Sequence, residues 1–100
     1  METYETNYFL SLMARSLPEN AKVLVVKNKE VGDFLKQKFE HFGKSVDLTT
    51  VTTTKKIDEE FHLVIISGSD LKSTLELVKP GYYVCSGDVH NINVLKHGNN

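Results

Sequence analysis

Residues 22–32, which read Lys-Val-Leu-Val-Val-Lys-Asn-Lys-Glu-Val-Gly, decide the fold that this chain can adopt. The valine-rich first half is typical of a strand buried on both faces, and a helical pattern follows after a short loop. In doubly wound α/β proteins a nucleotide phosphate or ribose docks at such a junction, where glycines let the backbone approach the ligand. Here the loop carries Lys27, Asn28 and Lys29, and Gly32 comes late. The segment therefore predicts the scaffold of a nucleotide-binding fold without the glycines that binding requires.

Length and composition predict one ordinary globular domain. We expect residues 1–100 to form a single unit, with an N-terminal helix and linker over 1–20 and a core over 21–100. A net charge of −1 leaves no electrostatic footprint for nucleic acid, and no apolar run approaches a membrane span. The N-terminus lacks the basic region of a secretory signal, and the single cysteine, Cys85, excludes an intrachain disulfide. We therefore expect a cytoplasmic protein without nucleic-acid or membrane partners.

Helical and strand patterns alternate along the chain. The predicted helices cover 4–16, 30–42 and a short stretch from 71 to 78, and the predicted strands cover 22–26, 45–52, 61–66, 82–85 and, weakly, 89–95. This alternation implies right-handed crossovers, with the first strand in the centre of the sheet. The fold class we expect is α/β, a small doubly wound, mainly parallel sheet of four to five strands flanked by helices.

Three segments match, in pattern, parts of a known enzyme family. Leu77-Val-Lys-Pro-Gly-Tyr-Tyr-Val84 resembles the Leu-Lys-Pro-Gly-Gly turn before the fifth strand of class I S-adenosylmethionine-dependent methyltransferases. Phe61-His-Leu-Val-Ile-Ile66 resembles the Phe-Asp-Leu-Val strand that precedes this turn, and Ala21-Lys-Val-Leu24 resembles the family's first strand. The resemblance covers about two thirds of the chain, and it implies a methyltransferase-like, Rossmann-like fold.

The positions that hold the cofactor in that family carry other residues here. The glycine-rich loop falls on Lys27, Lys29 and Val31, and the acid of the first strand falls on Val25. The position of the family's carboxylate that binds the ribose hydroxyls falls near Thr49 or Thr50. Threonine cannot accept hydrogen bonds from two hydroxyl groups as a carboxylate does. We therefore expect no cofactor, no metal and no catalytic residue, and a protein-interaction or regulatory module. A small α/β enzyme that uses the loops at the carboxyl edge of the sheet is the alternative.

Several segments of the chain also resemble a second family. The strand at 22–26, the following loop and helix, and the strands at 45–51 and 63–67 are similar to the B components of sugar phosphotransferase systems. Their phosphocysteine directly follows the first strand, where this chain has Lys27, and Cys85 lies in the predicted fourth strand. The methyltransferase-like interpretation is preferred because of the N-terminal helix and the Lys-Pro-Gly turn.

Polar residues at the predicted carboxyl edge are candidate contacts for an anion or another ligand, because α/β proteins bind ligands at this edge. Two lysines at the start of a helix would add positive charge next to its free N–H groups, which attract anions. An anion sensor is therefore a further hypothesis, and a solvated loop without a ligand is the simpler interpretation. Asp88 is the better carboxylate candidate, whereas Asp70 suits a helix cap. The candidate contacts are Lys27, Asn28, Lys29, Ser67, Gly68, Ser69, Ser86 and Asp88.

The remaining expectation concerns partners. The second predicted strand, at 45–52, is rich in threonine and suits the edge of the sheet. Unpaired N–H and C=O groups at such an edge favour pairing with another chain. We therefore expect a protein partner, either a second copy or a different protein, with a plain monomer as the alternative.

Overall fold

The computed structural model describes residues 2–52, 58–67 and 83–96. The helix predicted over 71–78 and the Lys-Pro-Gly turn lie outside these ranges. Two α-helices and six strands are described, namely β1 (Glu2–Glu5), α1 (Thr6–Ser16), β2 (Ala21–Val26), α2 (Lys29–His41), β3 (Val46–Val51), β4 (Leu63–Ile66), β5 (Tyr83–Gly87) and β6 (Asn91–Leu95).

The sheet is mixed, in the order β1-β6-β5-β4-β2-β3. β2 pairs in parallel with β3 and β4, and β4 pairs in parallel with β5, whereas β6 runs antiparallel to both β5 and β1. The predicted α/β class is thus confirmed. β2 lies between β3 and β4, but it is second from one edge of the sheet, because β6 and β1 extend the other side, so the expected central position is wrong. The predicted count of four to five strands is wrong, because β1 adds an edge strand where a helix start was expected.

Both helices pack on one face of the sheet. Phe9 and Leu10 of α1 and Leu35 and Phe39 of α2 are buried with the strand side chains that point to the same face, which are Val23, Val25, Leu63, Ile65, Cys85, Ile92 and Val94. The opposite face is also buried, through Leu24, Val26, Phe61, Val64, Ile66 and Val84. Burial on both faces explains why β2 and β4 are continuous apolar runs. A helix on the second face, which a doubly wound fold needs, stays a prediction.

Gly32 sets how closely α2 approaches β2. A Cβ atom at Gly32 would lie 2.9 Å from Cγ2 and 3.1 Å from Cγ1 of Val25. Since Val25 is buried and β-branched, its side chain has little freedom to turn away. The late glycine of the loop therefore serves helix–strand packing, which is also the role of the third glycine in dinucleotide-binding loops.

Lys44 ties the end of α2 to the end of α1. α2 ends at His41, Gly43 follows with a φ of 67°, and the N–H of Lys44 donates to the carbonyl of Phe39. The ammonium group of Lys44 then donates to the carbonyl oxygens of Ala14 at 2.8 Å, Arg15 at 3.2 Å and Leu17. A cation at the C-terminus of α1 also complements the helix dipole.

We expect Lys44→Met to lower the free energy of unfolding by about 1–3 kcal/mol, because the three carbonyl groups lose a charged donor. Methionine keeps most of the aliphatic stem, so little packing is lost. Urea denaturation measures the change. Lys36→Met, at an exposed position of α2, is the matched control and should leave stability nearly unchanged. Equal losses in the two variants would contradict the role of Lys44.

Candidate functional site

The candidate site lies at the carboxyl edge of the parallel strands. Lys27 and Asn28 follow β2, Ser67 follows β4, and Ser86 stands near the end of β5. From β2 the chain crosses to β3 on one side and then returns to β4 on the other, so the strand order reverses between β2 and β4. In open α/β sheets the crevice at such a switch point is the usual ligand site.

Asn28 lies at this switch point, between the ends of the parallel strands. Its side-chain Nδ2 donates to the carbonyl oxygen of Ile66 and to that of Gly87, both at 3.0 Å. These acceptors lie at the ends of β4 and β5, and Asn28 itself is half-buried. One side chain thus joins the loop after β2 to the ends of two neighbouring strands, with both of its amide hydrogens in use. The sequence singled out Asn28 as a ligand contact but could not reveal these two acceptors, which are distant along the chain.

The two lysines beside Asn28 differ in their surroundings. Lys27 is exposed and has a φ of 55°, a left-handed conformation that glycine adopts more easily. Its backbone N–H donates to the carbonyl of Val51 at 3.0 Å, which joins the loop to the end of β3. Lys29 forms an ion pair with Asp33 one turn further along α2, with 2.7 Å between Nζ and Oδ2. The charge of Lys29 is therefore shared with a carboxylate on the same helix.

Ser86 and Gly87 belong to β5 and Asp88 begins the turn of a β-hairpin, whereas the sequence predicted the strand to end at Cys85. Ser86 lies within β5 and is only 3% exposed. The carboxylate of Asp88 accepts from the backbone N–H of His90 at 2.8 Å and of Asn91 at 3.0 Å. The turn connects β5 (Tyr83–Gly87) to β6 (Asn91–Leu95), and the two strands pair in an antiparallel fashion.

The hydrogen bonds from Asn91 and His90 lower the pKa of the Asp88 carboxyl. A carboxyl whose pKa is lowered by folding stabilises the fold above its unfolded pKa, and this contribution disappears as the pH falls through the folded pKa. The hairpin turn is also fixed to α1, because Thr6 is buried and its Oγ1 donates to the carbonyl of Asp88 at 2.5 Å. Asp88 thus has a structural role in this turn.

Ser67 is half-buried directly after β4 and takes part in an interaction there. Gly68 and Ser69 lie outside the described residues. Of the predicted contacts, the structure therefore brings Lys27, Asn28, Ser67 and Ser86 to the carboxyl ends of the parallel strands. A role for the candidate contacts in binding an anion stays a prediction.

Two cavities at the opposite, amino edge were not singled out by the sequence. One, of about 460 Å³, is lined by Leu12, Met13, Ser16, Leu17, Pro18, His62 and Tyr83. Its neighbour, of about 310 Å³, shares Leu12, Met13 and Tyr83 and extends along β1. His62 is held there by the backbone of Lys22, whose N–H donates to Nδ1 at 3.0 Å. No periodicity signals these cavities, since their linings come from β1, α1, β5, β6 and loops that are distant along the chain.

Cys85 lies in the core between the sheet and the helices. Its side chain is fully buried, and burial raises the pKa of the thiol far above its ordinary value of 9.0. A thiol in this state is a poor nucleophile, because the thiolate is the reactive form. Cys85 is thus a core thiol.

The buried thiol predicts how stability depends on pH. Because the folded pKa lies above the unfolded one, the contribution is complete below about pH 9 and decreases as the pH rises further. The slope is about 1.4 kcal/mol per pH unit, until the pH reaches the folded pKa. We expect Cys85→Ala to lack this part of the slope when both proteins are denatured in urea between about pH 8 and 10.5. Parallel pH profiles for the two proteins would contradict the burial of the thiol.

Neither described helix is both long and apolar enough to cross a lipid bilayer. Within residues 2–52, 58–67 and 83–96, no three His, Cys, Asp or Glu side chains cluster in a way that could hold a metal ion. Comparisons with protein-family models, with curated proteins and with solved structures gave no match. The resemblance to methyltransferases therefore rests on the sequence pattern alone.

Proposed function

We propose that this chain is a non-catalytic, methyltransferase-like α/β domain that acts as a protein-interaction or regulatory module and does not bind a nucleotide-like cofactor. The observation that carries the proposal is the position of Asn28. Its amide donates to the carbonyls of Ile66 and Gly87 and so connects the loop after β2 to the ends of β4 and β5. A cofactor at the switch point would have to displace this side chain and leave both carbonyl oxygens in need of new donors, which costs about 1–3 kcal/mol for each group.

The end of β3 supports the same conclusion. Thr49 and Thr50 pair in register with Leu24 and Val25 of β2, close to the position where a ribose-binding carboxylate would stand. A threonine hydroxyl has one donor and cannot accept hydrogen bonds from both ribose hydroxyls as a carboxylate does. The loss of each such contact adds about 1–3 kcal/mol to the cost of binding.

The thiol chemistry also argues against the phosphotransferase alternative. That chemistry needs an accessible cysteine at the end of the first strand of the core, where the chain has Lys27. Cys85 is instead fully buried in β5 and protonated. A single reduced, buried cysteine fits a cytoplasmic protein, which is the compartment that we propose.

The test is a titration of the ¹⁵N-labelled protein with S-adenosylmethionine, with ATP and with inorganic phosphate, followed by amide chemical shifts. We expect no saturable shift with the two nucleotide-like ligands. Saturable binding of either at micromolar concentration would overturn the proposal. Saturable shifts confined to Lys27, Asn28 and Lys29 with phosphate would replace it by the anion sensor.

A further inference from the structure

β3 is an edge strand of the sheet. Within the described residues, β3 is the last strand of the sheet and pairs with β2 alone. The carbonyl oxygens of Ser45 and Val51 accept from Asn20 at 2.9 Å and Lys27 at 3.0 Å, so the odd-numbered residues turn their backbone groups toward β2. Since these groups alternate in direction along a strand, Val46, Leu48 and Thr50 turn their N–H and C=O groups outward.

The two edges of the sheet differ in how they are protected. β1 has only four residues and carries a carboxylate at each end, on Glu2 and Glu5. Short length and charge are the usual devices that prevent edge-to-edge pairing. β3 has six residues, and Asp47 is its one charged side chain. Within the residues that the structure describes, the edge of β3 is therefore the less protected of the two.

We infer that β3 pairs in an antiparallel fashion with β3 of a second copy, around a twofold axis at Leu48. This inference rests on the proposed function as a protein-interaction module, and the partner it assigns is a second copy of the chain. In this register Leu48 faces Leu48 of the second copy, and Val46 faces Thr50 of the second copy. All the outward N–H and C=O groups of these three residues then find partners, as hydrogen-bonded pairs of an antiparallel ladder require.

The side chains of the pairing are compatible on both faces of the sheet. Leu48 and Val46 pack against the core under the helices. Their contacts with Leu48 and Thr50 of the second copy therefore extend that apolar layer. On the other face Asp47 stands opposite Thr49 of the second copy, whose hydroxyl can donate to the carboxylate. No like charges face each other, whereas like charges directly opposite would be destabilising. The product is one continuous sheet through two copies of the chain.

Sedimentation velocity across a roughly hundredfold concentration range tests the pairing, because a dimer shifts with concentration by mass action. We expect the mass to rise from one chain to two. Thr50→Pro removes an outward N–H from each copy and should raise the dimer dissociation constant roughly tenfold or more. Proline is tolerated at an edge strand when its missing N–H points away from the sheet.

Thr50→Lys is the second variant, since it adds a charge near the twofold axis without altering the backbone. Thr3→Lys on β1 is its matched control, as both are exposed threonines on edge strands. We expect Thr50→Lys to weaken the dimer and Thr3→Lys to leave it unchanged. A constant monomer mass for the unmodified chain, or a dimer indifferent to both Thr50 variants, would overturn the inference.

Amide hydrogen exchange on the unmodified chain gives an independent measurement. The N–H groups of Leu48 and Thr50 should exchange more slowly as concentration rises, because pairing protects them. Those of Thr49 and Val51, which point to β2, should not change. If protection of Leu48 and Thr50 is independent of concentration, the pairing is excluded. This failure is distinct from failure of the proposed function, which saturable binding of S-adenosylmethionine or ATP would overturn whatever the mass of the protein.

Discussion

Replacing Phe39 by alanine is expected to lower the free energy of unfolding by about 3–5 kcal/mol. Phe39 lies in α2, is fully buried and has the largest fully buried side chain among the described residues. Its ring packs in the cluster that joins both helices to the sheet, and Nζ of Lys44 lies 5.8 Å from the ring centroid. Because domains of this size are stable by only about 5–15 kcal/mol, the variant should lose a large share of its total stability.

Urea denaturation followed by circular dichroism measures the effect. Phe42→Ala is the matched control, since Phe42 lies one turn further along, at the end of α2, and is 39% exposed. We expect the control to lose no more than about 1 kcal/mol. Wild-type stability for Phe39→Ala, or equal losses in the two variants, would show that α2 does not face the sheet with this side.

Replacing Gly87 by alanine is expected to cost about 3 kcal/mol or more, from a backbone strain and a steric overlap together. Gly87 has a φ of 150°, which L side chains rarely adopt. Its Cβ would lie 2.3 Å from the carbonyl oxygen of Asn91 and 2.8 Å from Cα of Ile92. Both neighbours are backbone atoms of the paired strand, so β5 and β6 must separate to admit the methyl group.

Gly43→Ala is the control that separates the two causes. Gly43 also has a positive φ, of 67°, but nothing lies within 4 Å of its Cβ position. We expect only the conformational cost of about 1–2 kcal/mol there. Thermal and urea denaturation of the two variants gives the comparison. A loss for Gly87→Ala no larger than for Gly43→Ala would mean that the hairpin relaxes around the methyl group.

The central part of the fold could be predicted from local pattern. β2 and α2 were predicted to within one residue at each end, because an apolar valine run and a helical apolar face leave clear signals. The edge position of β3 also followed from its threonines and its alternating pattern. β1 could not be predicted, because a short exposed strand is held by its ladder to β6 and buries no alternating side chains.

The candidate site divides in the same way. The sequence by itself determined that the loop after β2 lacks early glycines and that threonines stand at 49 and 50, where the resemblance to methyltransferases implies a ribose-binding carboxylate, since residue type is read directly from the chain. Only the tertiary structure decided that Asn28 joins the ends of β4 and β5 and that Asp88 holds a hairpin turn. The acceptors of Asn28 lie 38 and 59 residues away, and hydrogen bonds over such separations leave no periodicity in a single chain. Residue type sets what a side chain can donate or accept, and the fold alone brings its partner within reach.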